Sequence, residues 1–486
     1  RQRQRHERTG EIVSIRAGIT RRQVVGGGLT IAAAAGLTGL SGCGDLFGGE
    51  KGGAPGSGQV LESLPDYGVP APTAYLRSNW SRDPYALCSY SCMPPGPPGP
   101  AARQLLREPV ADRLLFAGEA TSSANPAMVH GALESGWRAA DTVEEFAPAG
   151  ASVTVVGAGA AGLACSRQLI DAGFDVTVIE ARNRVGGRVW SESIAGVPAE
   201  MGASWIHGVK GNPLTSFAES SGVERIPFEY ETFFPDPAQR AEGGRGVRQL
   251  NASLDYFDWE SGNAVTTPLS YLLPVRRTPG LEWAINSEIS QEYGADPAGL
   301  SVFATDEGDF LRGGDALLAG SYQQMIVDST LNAGSSGEVP VELETVVSEV
   351  RYGGGGVEVL DTKGGVTRSD FAVITVPIGV LQNGSIRFRP GLPARTMEGI
   401  GGLGLGLLDK LWLAFDEVFW DEDAEMIAWI DPERPGLWAE WVNGYRAFGA
   451  PVLLAFNGGS EAWRVAGADD RTVVESGMKA LGGMYG

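Results

Sequence analysis

Three groups of residues in this chain have the types and spacing for chemistry. The first is a glycine series, Gly157, Gly159 and Gly162, which follows the apolar, β-branched run Val153 to Val156. In such a series the first glycine allows a tight turn, the second lets backbone approach a pyrophosphate, and the third lets a helix pack closely on a strand. Glu180 closes a second apolar run, Asp175 to Ile179, where a carboxylate can accept hydrogen bonds from a ribose. The second group is His207, inside the run Glu200 to Gly208; a histidine trades protons near neutral pH. The third is Lys410. It shares one face of an alternating stretch with Trp412 and Ala414, while Leu411, Leu413 and Phe415 share the other. A lysine beside a tryptophan on one face fits an enclosed site better than an open surface.

These residues need elements to hold them. With 70 glycines in 486 residues, the glycine pattern alone says little, so its context decides. The run before it reads as a buried strand, the stretch after it as a helix stopped by Gly173, and Asp175 to Ile179 as a second strand. Together they make a βαβ unit for a dinucleotide. Leu114 to Ala117 reads as a short strand ending at Gly118-Glu119, and helical spacing runs from Met128 to Val143 after Pro126. A helix start placed after a strand end aims free N–H groups at whatever lies between them. Pro340 to Pro393 alternates apolar and polar residues and reads as strands, with Gly353 to Gly356 as a hairpin turn. Phe217 to about Leu318 has little periodicity and reads as helices and loops. Its aromatics (Phe228, Tyr230, Phe233, Phe234, Tyr256, Trp259 and Trp283) are expected mostly in the core, with some lining a channel.

A chain of this length supports two domains with full cores, and 43% hydrophobic with 20% charged residues is a soluble globular composition. The formal net charge of −21 argues against nucleic acid and anionic membrane surfaces as partners and favours small cations. No metal-ligand set is read from the chain. Cys43, Cys88, Cys92 and Cys165 are too few and too scattered for a disulfide framework. Near the start, Arg21-Arg22 precede a weakly apolar run of glycines and alanines that closes at Leu40-Ser-Gly-Cys43. This resembles a twin-arginine export signal ending in a bacterial lipoprotein box, which predicts export across the cytoplasmic membrane and a lipid anchor at Cys43. A Gly-rich flexible linker, Gly44 to Gly58, follows.

Gly186-Gly187-Arg188, after the second strand, is similar to the flavoprotein form of the dinucleotide unit, in which these residues meet the FAD pyrophosphate. With GASWIHG (Gly202 to Gly208), the lysine stretch (Gly404 to Trp420) and FAGEATS (Phe116 to Ser122), the chain from about Pro65 to Gly486 resembles the flavin-containing amine oxidases, nearest the polyamine oxidases. The resemblance implies an α/β (α+β) fold: a Rossmann-like FAD domain of the glutathione-reductase type with an inserted substrate domain of mixed sheet and helices. It implies a permuted chain order, because the segment around Glu119 closes the catalytic chain in the family and here precedes the dinucleotide unit. The expected organisation is export signal and linker over 1–64, a C-terminal-type FAD segment over 65–150, and the dinucleotide βαβ over 151–216. Substrate-domain pieces are expected over 217–322 and 396–486, with FAD-domain strands over 323–395. Permutation further requires Gly486 to lie near Pro65 to Ala71.

By resemblance, Lys410 and His207 are catalytic, Lys410 holding a water at flavin N5 and His207 facing the substrate. The FAD contacts are then Trp80, Glu119, Met128, Val129, Gly157, Gly159, Gly162, Glu180, Arg182, Gly186, Gly187, Arg188, Gly202, Ala203, Ser204, Trp205 and Val347, whose backbone meets the adenine. The implied reaction moves hydride from an amine α-carbon to the flavin, with imine hydrolysis and reoxidation by molecular oxygen to hydrogen peroxide. Met128 stands where many members place an aromatic wall, which weakens a cation–π cage. Cys88 falls close to where mitochondrial monoamine oxidases bond their flavin, but its surroundings follow the polyamine type, so FAD is expected to be non-covalent. The alternatives are an L-amino acid oxidase, which needs an arginine that Glu200 to Pro213 lacks, a desaturase-type flavoprotein with a long apolar tunnel, and an inactive FAD-binding homologue.

Overall fold

The computed structural model describes residue 61 and residues 64–259, 262–334 and 337–486. Arg21, Arg22 and Cys43, with the export and lipid expectations that rest on them, lie outside the described residues.

A five-stranded sheet holds the dinucleotide unit. Its order is Val341–Glu342, Asp175–Ile179, Ser152–Val156, Phe371–Ile374 and Leu114–Phe116, and every neighbouring pair is parallel. Parallel strands covered on both faces are largely apolar, which is why Phe371 to Ile374 carries no polar residue and Val153 to Val156 only Thr154, whose hydroxyl bonds to Ser369. Val153, Val155, Val176 and Val373 face the helices, packing with Leu133, Ala139, Leu163 and Leu169. Val156, Ile179, Ala372 and Ile374 face the other way, against Val350, Val357 and Val359 of a separate four-stranded sheet. The stretch 340–393 therefore divides. Only Val341–Glu342 and Phe371–Ile374 join the parallel sheet, whereas Val347–Gly353, Gly356–Asp361, Val366–Ser369 and Arg387–Arg389 cover its face. Gly353 pairs with Gly356 across the expected hairpin turn.

Helices Ala160–Asp171 and Val129–Phe146 lie side by side on the first face. They approach closely because Gly136 presents no side chain to the Ala161 carbonyl, whose oxygen a Cβ there would overlap. Gly162 likewise sits on the Gly157 carbonyl.

The second body is a six-stranded sheet in the order Ala74–Arg77, Leu408–Ala414, Val452–Gly458, Glu440–Asn443, Met426–Ala428 and Thr232–Phe233. Leu411 and Leu413 pack on Val474, Met478 and Leu481 of the helix Asp470–Tyr485, while Trp412 and Ala414 pack with Phe456, Met201 and Phe228. The two faces read from the sequence are thus both buried. A three-stranded sheet in the order Trp205–Ile206, Asp315–Leu318 and Arg225–Phe228 packs Ile206 and Leu318 into the core of the first body and Leu317 and Phe228 into that of the second.

Segment 65–150 serves both bodies rather than the parallel sheet alone: Leu114–Phe116 is an edge strand there, and Ala74–Arg77 pairs antiparallel with the lysine strand, Tyr75 opposite Leu413. Gly486 packs on this segment, 3.1 Å from where a Cβ on Gly68 would stand. Among the aromatics of 217–318, Trp283 and Phe234 are core residues, but Tyr256 is 89% exposed and Trp259 half-exposed, against the core expected for them. A Gly136→Ala substitution should overpack the helix pair and lower stability by about 1–3 kcal/mol, read as a drop in urea midpoint with an unchanged slope.

Candidate active site

Beyond the carboxyl ends of the parallel strands lies a cavity of about 470 Å³, closed on its far side by the six-stranded sheet. The chain leaves four parallel strands directly into its wall, at Gly157, Glu180, Thr375 and Gly118-Glu119. This is where open α/β sheets bind ligands.

Gly157 turns the chain with φ +109°, and the Thr375 hydroxyl donates to the carbonyls of Val156 (2.9 Å) and Gly157 (3.1 Å). Gly159 caps the helix Ala160–Asp171 in extended backbone with no side-chain bond, so the first N–H groups stay open to an anion. Gly187 closes over this turn; a Cβ on it would stand 3.3 Å from the Gly159 Cα. Glu180 is buried and accepts from the N–H groups of Ala158 and Arg182, both at 2.8 Å, which leaves lone pairs on a carboxylate for a further donor. Arg182 itself pairs with Asp83 at 2.6 Å.

Glu119 is the buried centre of a second knot. It accepts from the Ser91 hydroxyl (2.6 Å), the Ala127 N–H (3.1 Å) and Arg188 (3.1 Å). Burial alone would raise this carboxyl, but Arg188 and Arg103 beside it, with the Ser91 hydroxyl, hold it below the usual range. Met128 stands at the N-terminal boundary of the helix Val129–Phe146 with no side-chain cap, so that helix too turns open N–H groups to the cavity.

The opposite wall carries Lys410. Its ammonium is buried and donates to the carbonyls of Glu200 (3.0 Å) and Gly202 and to the Ser204 hydroxyl. Burial pulls Lys410 down from the usual lysine range, against the opposing charge of Glu200, and burial raises the Glu200 carboxyl behind it. The two titrate as one pair. The rings of Trp205 and Phe456 lie 5.7 and 5.8 Å from the Lys410 nitrogen. His207 follows the strand Trp205–Ile206; its Nδ1 is 2.7 Å from Asp315 Oδ2, which also accepts from the Tyr230 hydroxyl at 2.8 Å.

A family model described as flavin containing amine oxidoreductase matches residues 59–144, 160–280 and 277–486. The chain belongs to this family. It is 30% identical over 367 residues to lysine-specific histone demethylase 1 homolog 3 of Oryza sativa subsp. japonica, covering 69% of this chain and 44% of the relative. It is 31% identical over 340 residues to polyamine oxidase 2 of Arabidopsis thaliana, covering 64% of this chain and 68% of that one. The cyclohexylamine oxidase of Brevibacterium oxydans IH-35A superposes with a TM-score of 0.53 at 21% identity, over 69% of this chain and 81% of its own, a likeness that carries the fold. The chain spans less than half the length of the first of these relatives.

Within this amine oxidoreductase fold, the residues predicted from sequence converge. Trp80, Glu119, Met128, Val129, Gly157, Gly159, Glu180, Arg182, Gly186, Gly187, Arg188, Gly202, Ala203, Ser204, Trp205, His207, Val347 and Lys410 all line the one cavity. Gly162 does not; it serves helix packing. Sequence reasoning missed Asp315, Thr375, His130 and Phe456 as cavity residues or their partners, and placed Tyr230 only as one aromatic among many. Phe456 pairs directly with Lys410 across two strands, a register that no local signal in either stretch announces. Asp315 carries no motif, and nothing in its own stretch announces it.

Although Met128 lines the cavity where an aromatic wall was expected, rings gather on the histidine side. Trp205 stacks on Tyr230 at 6.2 Å and tilts on Phe456 at 5.8 Å. Cys88 is fully buried and faces the core, while its neighbours Ser89 and Tyr90 line the cavity; burial pushes its thiol up, away from the thiolate. A sulfur placed so is a poor nucleophile toward a flavin. Acid precipitation of the pure yellow protein should therefore leave all the colour in the supernatant; colour in the pellet would show a covalent bond.

Proposed function

We propose that this chain binds FAD non-covalently and oxidises an amine, with molecular oxygen as the final acceptor. The observation that carries this reading is that one cavity joins a dinucleotide cradle to a dry wall bearing Lys410 and His207. The residues present fit FAD: an uncapped helix start at Gly159, a turn that side chains would fill, and a buried Glu180 with acceptor capacity left. A buried donor, Trp205 Nε1, has no acceptor among the described residues, and a bound ligand can supply one.

When bound, FAD supplies the two-electron acceptor, which oxygen returns to its oxidised state with release of hydrogen peroxide. The chain's own residues do the rest. Trp205, Tyr230, Phe456 and Met426 exclude water and leave an apolar wall for an amine's carbon chain. His207 takes up the proton that an ammonium must lose before oxidation. Lys410 gives its three ammonium N–H groups to the Glu200 and Gly202 carbonyls and the Ser204 hydroxyl, which leaves none for the water expected of it; it acts at the dry wall through its fixed charge. The open N–H groups at Val129 and His130 place positive potential at the other side.

An amine is favoured over an amino acid because Arg182 and Arg188, the arginines that line the cavity among the described residues, are already paired with Asp83 and Glu119. The acidic surface draws cations, and polyamines are the substrate class that best uses it. The assay that decides is peroxide release by yellow protein across a panel of mono-, di- and polyamines. Lys410→Met should retain the flavin and lose about 10²-fold or more in kcat; yellow protein that makes no peroxide with any amine overturns the reading.

We also propose that the chain is a circular permutation of the family's order. In its support, the helix Val129–Phe146 packs on the dinucleotide helix, only residues 147–151 join it to the next strand, and Gly486 lies against Gly68. Old ends that close are what permutation needs. A gene rejoined as 151–486 followed by 65–146 should yield the same yellow, equally active protein. Failure of that protein to fold or to bind flavin, with the present order doing both, would count against permutation.

A further inference from the structure

Asp315 opens the strand Asp315–Leu318, whose pairing sets Ala316 opposite Ile206. That register brings the carboxylate to the residues just after Ile206. Three groups converge on it: the Gly208 N–H donates to Oδ1 at 2.8 Å, the Tyr230 hydroxyl donates to Oδ2 at 2.8 Å, and His207 Nδ1 lies 2.7 Å from Oδ2. The two donors stabilise the carboxylate form, and opposite an ionised carboxylate, which can only accept, Nδ1 carries the hydrogen. We propose that Asp315 is a positioning residue that fixes His207 with its hydrogen on Nδ1, making Nε2 the atom that accepts the proton of the substrate ammonium. This rests on the amine oxidase reading above.

The step balances simply. The ammonium N–H bond breaks, a proton joins Nε2, and the neutral amine keeps its electron pair. The imidazolium so formed lies against an anion that is already desolvated and held. Burial would raise the Asp315 carboxyl, but the bond and charge of His207, the Gly208 N–H and the Tyr230 hydroxyl outweigh it and keep the group well below the usual range. Tyr230 is locked in place for this. Its backbone is left-handed, φ +58°, a conformation that side-chain-bearing residues keep only where their surroundings over-determine it. Its ring meets Phe228 edge-on at 4.8 Å and stacks on Trp205, which also stacks on His207 at 6.4 Å.

Other ionisable groups surround the histidine. His130, on the helix Val129–Phe146, is lowered to about 4 by burial and then by the charge of His207, so it stays neutral. Asn212 donates to the His207 carbonyl at 3.0 Å and reaches His130 Nδ1 at 3.4 Å. Lys410 stands on the cavity's other wall, and Lys210 and Arg312 bridge one step further along the same ribbon. Glu119, Glu180 and Glu292 also line the cavity, but Asp315 is in direct contact with the ring, so its charge acts on His207 at hydrogen-bond distance.

The test uses FAD-loaded protein and Asp315→Asn. With the Gly208 N–H fixing the amide oxygen on its side, the amide NH2 turns to His207 and donates to Nδ1, moving the ring hydrogen to Nε2. Long-range 1H–15N spectra of the imidazoles, which need no turnover, should show Nδ1–H at His207 in the parent and Nε2–H in the variant. The kcat of the variant should fall about 10²-fold for monoamines and diamines alike, with flavin absorbance unchanged. The acid limb of its kcat/KM profile should move to lower pH, because the imidazolium loses its neighbouring anion, and Asp315→Glu should restore part of the rate. Should Asp315→Asn not fold, Tyr230→Phe removes one donor, makes the carboxylate more basic and should move the same limb upward. An unchanged tautomer, or an unmoved limb in an active parent, overturns the proposal. So does a loss confined to KM for diamines, which would make Asp315 an anchor for a distal cation. A parent that makes no peroxide while its tautomer shifts as stated would sink the amine oxidase reading instead.

Discussion

A buried ammonium must be solvated by the protein itself, and much of this structure follows from doing so at Lys410. Three acceptors are required, and Glu200, Gly202 and Ser204 supply them from a single run of backbone. That run cannot be displaced, because on its other side Gly202 lies so close to the Arg188 carbonyl that a Cβ would overlap it. The segment is therefore clamped between the arginine that ends the dinucleotide unit and the lysine of the second sheet. Cofactor cradle and catalytic wall are one mechanical object, joined by a stretch with no room for a side chain at its tightest point.

Glu180 and Glu119 in the cavity wall, and Glu200 and Asp315 behind it, are carboxylates each managed differently. Glu180 is satisfied by backbone N–H groups that its own loop would otherwise leave unpaired, so it organises the turn before it meets any ligand. Glu119 is neutralised by arginines on both sides. Asp315 is held below the usual carboxylate range by the His207 ring, the Gly208 N–H and the Tyr230 hydroxyl, whereas Glu200, with hydroxyl and N–H partners but no arginine, is raised by burial. Like residues thus present an acceptor with lone pairs to spare, a structural counter-charge, an anion beside His207 and, behind Lys410, a carboxyl raised by burial. Burial sets the penalty in every case, and the donor set decides which protonation state survives it.

Local chemistry was legible in the sequence, and long-range register was not. The βαβ unit was readable because its signals are consecutive: apolar run, glycine turn, helical spacing, glycine stop, second apolar run. The paired faces of the lysine strand were readable because alternation is a local property. The division of residues 340–393 between two sheets was not, since a strand that enters a parallel sheet and one that covers it look alike over four residues. Asp315 and Tyr230 escaped for the same reason. Their partner His207 is more than twenty positions from Tyr230 and more than a hundred from Asp315, and only the pairing of Asp315–Leu318 with Trp205–Ile206 on one side and Arg225–Phe228 on the other brings them together. Exposed Tyr256 and Trp259 mark the reverse error, in which aromatic character was taken as burial.

Chain order imposes less than chain content. The parallel sheet needs Leu114–Phe116 beside Phe371–Ile374, and the register of that pair is the same whether the strand arrives before the dinucleotide unit or after it. What changes is which loop must be closed, and closure entropy grows only slowly with loop length. The short turn at 147–151 ties the helix Val129–Phe146 to the strand Ser152–Val156, two elements that already touch through the dinucleotide helix. Joining neighbours by a few residues adds little strain and removes freedom from the unfolded chain. Gly486 lies against Gly68, so the permutation proposed above requires no separation of surfaces that now touch. On that proposal the fold depends on which surfaces meet, and the covalent path between them is secondary.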